Sequence, residues 1–353
     1  MLLGHDFYEG VFAYDVQHYL DFVINKEKLI SADEFNAKLK NIRLSERDAK
    51  NRPKYFKTRA ANSKYQGNAG SLRVLSRILV IILSDILEES MTLKYLVQLH
   101  EVGEIITAPK LTVGEIHDVM SAIIEDYLDL RKLGVEELGM PRPRPKHHFL
   151  SHYPLMYLNN GPLIGVWGMR MESKHCFCKS VLKNSKNFKN FALTCATRHQ
   201  MALISHYYLG LFVSNMFELP DASITVEDVL KMVTDPNLRC FYQSIEAKSL
   251  SVKKLKIYGT EYSVGKLIIL RKESYGQLTV GIISAIAFYK NVVKFAVSSY
   301  EALQSKYGYY VSSRSIAPYE VVTYDMLWDY HPLELYGNLK SFSFVLHHFV
   351  SLN

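Results

Sequence analysis

The sequence predicts an α+β fold, mainly helical through its first two thirds and ending in a small C-terminal β-barrel. Three observations carry this. Apolar residues recur at three- and four-residue spacing as far as Phe217. Ser31 with Glu34 and Thr112 with Glu115 have the capping-box spacing that starts a helix. From residue 251 the pattern changes to short β-branched runs separated by tight turns. A chain of 353 residues can hold two or three domains with cores of their own. We divide it into a helical domain (1–137), a basic helical segment (145–235) and a small barrel with a mixed tail (250–353).

In order, residues 5–24 place Phe7, Val11, Tyr14, Phe22 and Val23 at helical spacing. A second helix follows Ser31, with Phe35 and Leu39 on one face. Residues 43–64 carry many Lys and Arg around Pro53 and read as an exposed basic loop. Residues 69–89 and 91–107 form two apolar helices, and Thr112 opens another to about Leu133. LGMPRPRP (138–145) is a connector, since proline cannot continue a helix. Lys179, Lys183 and Lys186 fall on one helical face, residues 184–190 break the pattern, and a helix runs from Phe191 to Phe217. Thr225 with Asp228 starts one more helix. Strands are predicted at 251–259, 262–270, 277–288, 291–300 and 307–313, with hairpin turns near Gly259, Gly276 and Asn291.

Hydrophobic residues are 48% and charged residues 22%, the balance of a globular chain. The longest strongly apolar run, ILVIIL at 78–83, is far too short to span a bilayer, so no membrane partner is expected. No secretory signal precedes the first charged residues, so the four cysteines are expected reduced, in the nucleus or cytoplasm. Between Pro141 and Gln200 stand ten Lys or Arg and one acid, Glu172, against a net charge of +7 for the chain. The basic character is therefore local, and it favours an anionic partner, DNA first. Arg170, Lys174, Lys179, Lys183, Lys186, Lys189 and Arg198 are the candidate phosphate contacts. A solvated basic face is the competing reading. No Gly-rich phosphate loop and no G-x-S-x-G is present.

HDFYEGVFAYDV near the start, then PKHHFLSHYP, GPLIGVWGMRMESKH, KNFKN and ATRHQ occur in this order over residues 4–205. Together they resemble the transposon-encoded, transposase-like proteins of animal genomes related to the CACTA group. Members of that family read HDLLEG, PKHHFLxHYP and FGPLxxxWxMRFExKH at these blocks. The tail, with Asp329, Tyr330, His331, Pro332 and Leu333, is similar to a DYHPLxLY-like motif of such proteins.

The resemblance implies an RNase H-like transposase, of which this chain keeps the helical insertion and the helix of the last acid. Such enzymes hold two divalent ions, Mg2+ or Mn2+, between acidic residues. Glu172 carries over as the last catalytic acid and metal ligand, and Asp6 as an earlier one. The strands, first acid and zinc-finger region that the resemblance places ahead of these blocks are expected to be absent. A truncated remnant that binds DNA but does not cut it is therefore expected, alone, as a homo-oligomer or with an intact transposase chain. For Glu172 the competing reading is a salt-bridge partner of Arg170, Lys174 or Lys179. A zinc site from His148, His152, Cys176 and Cys178 is a further candidate, since the family carries Cys/His pairs in its insertion. The order here is His pair before Cys-x-Cys, unlike the family's, and packed histidines beside Tyr153 and Trp167 are the alternative.

Two further functions remain open. The C-terminal barrel could read a peptide or a chromatin partner through Tyr307, Tyr309 and Tyr310, with the helices as scaffold. The chain could also be an active nuclease completed by acids from a second chain.

Overall fold

The computed structural model describes all residues except 1–2, 59–62, 88–89, 187–188, 210–215, 221–222, 275, 339–340 and 352–353. The side chains of 46–47, 169–173, 274, 313–314, 318, 338 and 341 also lie outside the described residues. The chain is α+β, with most helices in the N-terminal part and a sheet region at the C-terminal end.

A continuous helix opens the chain. π-helical turns at Gly4–Phe12 and Phe22–Lys26 flank α1 (Ala13–Asp21). Phe7, Phe12, Val16, Tyr19 and Val23 are all buried, so this helix lies inside the helical domain, not on its surface. α2 (Ala32–Asn41) begins at the Ser31–Glu34 capping box read from the sequence, with both reciprocal hydrogen bonds present. After the short α3 (Glu46–Ala49), residues 52–58 and 63–68 run without helix or strand. The sequence suggested a solvated loop here, but Phe56 and Tyr65 are buried, and the Tyr65 amide donates to the Ala13 carbonyl at 2.8 Å. Arg52 donates to the carbonyls of Leu39, Lys40 and Ile42, which α2 leaves unsatisfied at its end. The apolar part of the segment and the free carbonyls outweigh its basic composition.

α4 (Ala69–Leu83) and α5 (Met91–Ile106) are the two predicted apolar helices, capped by Asn68 and Ser90. The Thr112–Glu115 box opens a π-helical stretch (Glu115–Met120) that continues as α6 (Ser121–Glu137). α7 (Pro145–Leu150) and α8 (Tyr153–Asn160) carry the PKHHFLSHYP block, each with proline in its first turn, where the missing N–H costs nothing. A short 3-10 turn (Leu163–Val166) leads to α9 (Met169–Ser185) and α10 (Phe191–Tyr208). α10 stops short of the predicted Phe217, which instead stands in β1 (Phe217–Glu218).

β2 (Ile224–Thr225) leads into α11 (Val226–Met232), started by Thr225 as predicted, and α12 (Pro236–Gln243), which the sequence reading missed. Then come β3 (Leu250–Val252), β4 (Lys254–Ile257), β5 (Thr260–Ser263), β6 (Leu267–Ser274), β7 (Gln277–Tyr289), β8 (Val292–Gln304) and β9 (Tyr310–Thr323). The tail adds β10 (Asp329–Leu333), β11 (Tyr336–Asn338) and β12 (Ser341–Phe344). The tight turns fall where they were expected. Lys290 and Asn291 both take positive φ, as a two-residue hairpin of primed type requires.

All strand pairs are antiparallel. The main sheet runs β10-β6-β7-β8-β9-β12-β11, with β3 added at the far end of β7 and β2 beside it; β1-β4-β5 make a second, small sheet. Among the described residues this ladder is an open path, not the closed barrel expected from five short strands. The reason is strand length. β7, β8 and β9 are 13, 13 and 14 residues long, and one edge of β7 pairs with β6 over its first half and with β3 near its end. The small sheet covers one face through Leu255, Ile257 and Tyr262 against Ile268, Phe295 and Val297. α11 and α12 cover Ala285, Ala287 and Ala296 through Val226, Phe241 and Tyr242.

The C-terminal segment locks helices to sheet. Leu346 and Val350 join the core of the sheet, while Phe349 joins the core of the helices. The Phe349 amide donates to the Glu104 carbonyl at 3.0 Å, Ser351 Oγ donates to Glu115 at 2.6 Å, and Lys272 Nζ lies 4.3 Å above the Phe349 ring. Phe349→Ala should therefore destabilise the chain by about 3–5 kcal/mol, a lost core aromatic plus its cavity, measured by urea unfolding; a cost below about 1 kcal/mol would mean the segment is not part of the core.

Candidate nucleic-acid interface

Two of the later blocks meet the first helix, through Lys146 and His147 and through Trp167. Close approach is built into its glycines. A Cβ at Gly4 would lie 2.8 Å from Trp167 Nε1, and one at Gly10 would lie 2.6 Å from the Lys146 side chain. With glycine at both positions, Trp167 stacks on Tyr8 at 5.5 Å and Lys146 donates to the His5 carbonyl at 2.6 Å. Arg73 lies 5.5 Å from the other ring neighbour, Trp167, as a cation–π contact.

One turn further on, Asp15 is fully buried. Its Oδ2 accepts from Tyr95 and Tyr127 hydroxyls at 2.5 Å each and from Arg131 Nε at 3.0 Å, and His147 Nε2 stands 3.2 Å from both of its oxygens. Burial alone would raise the Asp15 pKa. The hydrogen bond and charge of His147, then the Arg131 charge and the Tyr127 hydroxyl, outweigh it and hold the carboxyl at about 2. Burial first, and the Asp15 charge second, push the Tyr95 and Tyr127 hydroxyls well above 10, so both stay protonated donors. His147 is thus a buried hydrogen-bonding residue, the alternative weighed for the histidines of its block.

The three acids and bases of HDFYEG have separate fates. His5 Nδ1 pairs with Glu9 at 2.7 Å, and Glu9 also accepts from the Ala69 amide at 2.8 Å, a carboxylate at the N-terminus of α4. Asp6 is part-exposed with Lys146 Nζ at 3.9 Å. Its expected partner Glu172, together with Arg170, sits in the first turns of α9, and both side chains lie outside the described residues.

α9 and α10 form a helical hairpin. It is closed by Lys174 donating to His199 at 2.8 Å, by Phe177 edge-on to the same imidazole, and by Cys195 Sγ reaching the Cys178 carbonyl at 3.9 Å. Lys174 is itself exposed and links the two helices through His199. Lys179, Lys183, Lys186, Lys189 and Arg198 are exposed, and Lys186 ends α9 in the left-handed conformation. No acidic side chain falls between Lys174 and Gln200, so this basic face carries no built-in counter-charge of its own sequence. α10 buries no side chain among its described residues. Phe191, Leu193, Met201, Ile204 and Leu209 are exposed, with Tyr207 and Tyr208 at 75% and 83%. The sequence reading missed this apolar surface, because a helix apolar on several sides reads as core.

The zinc candidates do not assemble. His148 and His152 pack edge-to-face on the surface at 4.9 Å, while Cys176 and Cys178 belong to α9. Among the described residues these four are not gathered into one donor set; Asp329, His331 and His348 are the three that are. His147 of the same block is buried and bonded to Asp15, while His148 and His152 are exposed. The aromatic cage also fails. Tyr310 is buried and stacked on Phe344, and Tyr307 and Tyr309 stack on each other against the helical core. No helix of the described residues is long and apolar enough to cross a membrane.

Comparison with family models, with curated proteins and with solved structures finds no match to this chain.

Asp15→Asn should cost about 3–5 kcal/mol, since Arg131 is then buried without its partner. The folded pKa of Asp15 lies below its unfolded value, so its contribution is complete above about pH 4 and is lost as pH falls toward 2. Between about pH 5 and pH 2 the native chain should therefore lose roughly 2 kcal/mol more than Asp15→Asn loses. Parallel acid-unfolding curves for the two chains would contradict the network.

Proposed function

We propose that this is a transposase-derived, DNA-binding protein that does not cut DNA by itself. The observation that carries the reading is the α9–α10 hairpin, whose exposed Lys179, Lys183, Lys186, Lys189 and Arg198 have no acidic neighbour between Lys174 and Gln200. Lys and Arg spaced along a helix meet successive phosphates and release counterions, which gives salt-sensitive binding with little sequence preference. The seat of Trp167 on Tyr8, two residues before the start of α9, supports the reading by fixing the base of the hairpin.

The RNase H-like part of the proposal rests on the resemblance of the sequence blocks. In it, Asp6 and Glu172 are the remaining acids for Mg2+ or Mn2+, with one ion activating the attacking oxygen and the other stabilising the leaving one. Two carboxylates, one of them beside Lys146, hold such a pair of ions poorly. The exposed apolar face of α10 favours a protein partner on the same hairpin, either a second copy or an intact transposase chain. Nuclear or cytoplasmic location follows from the proposed DNA partner and the free cysteines.

Fluorescence anisotropy with duplex DNA tests the binding. Affinity should fall steeply between about 50 and 200 mM salt, and Lys179→Gln with Lys183→Gln should reduce the slope of log K against log salt by about 2. Affinity that ignores salt would refute the reading. In a separate assay, the chain alone should leave supercoiled plasmid intact in Mg2+ or Mn2+. Nicking that Glu172→Gln abolishes would instead make it an active nuclease.

A further inference from the structure

We propose that Asp329, His331 and His348 form a zinc site that fastens the C-terminal segment to the edge of the main sheet. The site is remote in sequence from the basic hairpin, and it stands or falls independently of DNA binding. Alternate residues of a strand share a face, so Asp329 and His331 on β10 present both donors on one side. His348 arrives from the segment after β12 and completes the set.

The spacing fits a metal. His331 Nδ1 lies 3.0 Å and His348 Nε2 lies 3.3 Å from the same oxygen, Asp329 Oδ1, and all three ligand atoms lie within 4.8 Å of one another. Zinc bonds of about 2.0–2.1 Å in a tetrahedron separate neighbouring ligands by about 3.3 Å. Two of the three edges therefore already have the length that zinc imposes. The imidazoles meet edge to face at 4.9 Å, which lets both nitrogens point at the carboxylate without stacking.

Charge points the same way. Asp329 is 8% exposed, and among the described residues its charged partners are these two histidines. Arg77 of α4, which reaches the neighbouring His347, is engaged by Asp48 at 2.9 Å. A buried carboxylate needs a compensating positive charge. A proton on one imidazole supplies one charge; a zinc ion supplies two and satisfies all three donors at once. Two His and one carboxylate is a donor set that zinc takes, with a position left for water. His331 is the most exposed of the three and gives the ion its entry path.

The surroundings hold the ligands in place. Trp328, beside Asp329, donates from Nε1 to the Ser351 carbonyl at 2.9 Å, and Phe349, beside His348, is fixed to the Glu104 carbonyl. Ligands so fixed lose little freedom when the ion binds.

The test is calorimetric titration of the full chain, stripped with EDTA, with zinc chloride, together with its melting temperature. One zinc per chain is expected, with a higher melting temperature in zinc. His331→Ala should weaken binding by at least about 100-fold, the upper range for loss of a mere supporting partner, and should abolish the rise in melting temperature on adding zinc, each chain being compared with its own metal-free form. His148→Ala with Cys178→Ser should leave the stoichiometry at one. The proposal is overturned by no heat and no melting shift at about 100 µM zinc, by binding that His331→Ala does not touch, or by binding that only the His148 and Cys178 variant removes.

Discussion

The helical half depends on one buried charge. Asp15 collects two tyrosine hydroxyls, a guanidinium and an imidazole from α5, α6 and α7, with no access to water. Left alone in that position, a carboxylate would cost several kcal/mol or take up a proton. With four partners it becomes the point at which distant segments are registered. His147 can reach it only if α7 lies across the first helix, and that docking brings Lys146 to the His5 carbonyl beside Asp6. Arg131 in turn donates to the Pro141 carbonyl at 2.7 Å and holds the Pro-Arg connector down. Arg144 closes the same corner, 3.6 Å above the Tyr14 ring.

The rest of the molecule is built outward from that corner. Trp167 settles on Tyr8, and α9 begins two residues later. The hairpin then runs with one basic face and one apolar face, neither used by the chain's own core. On the other side, the tail from Val345 to Ser351 is shared between the helical core and the sheet. Helices and sheet thus stabilise one another through a few residues near the C-terminus. A basic hairpin with exposed Lys179, Lys183, Lys186 and Arg198 is the arrangement that the DNA-binding proposal draws on.

Local signals in the sequence located the helices well. Ser31, Thr112 and Thr225 start helices where their side chains accept from the backbone, because capping is settled within four residues. The hairpin turns were legible for the same reason. What was not legible depends on partners far along the chain. Asp15 looks like any acid on an apolar helix until Tyr95, Tyr127, Arg131 and His147 arrive. Among the histidines of PKHHFLSHYP, nothing local tells His147 from His148, yet only His147 faces Asp15. The barrel expectation failed because it rested on short strands, while β8 and β9 run for 13 and 14 residues with register shifts between them. Residues 43–64 misled by composition, since Arg52 spends its charge on helix-end carbonyls and Phe56 and Tyr65 turn inward.

Under the proposal, DNA lies against the α9–α10 hairpin. Photochemical crosslinking of the full chain to duplex DNA, with the attached peptides located by mass spectrometry, tests it most directly. Crosslinks concentrated in residues 174–198, and suppressed by high salt, are the predicted result. Crosslinks confined to the strands of the main sheet, or none under conditions where a known DNA-binding protein reacts, would contradict it.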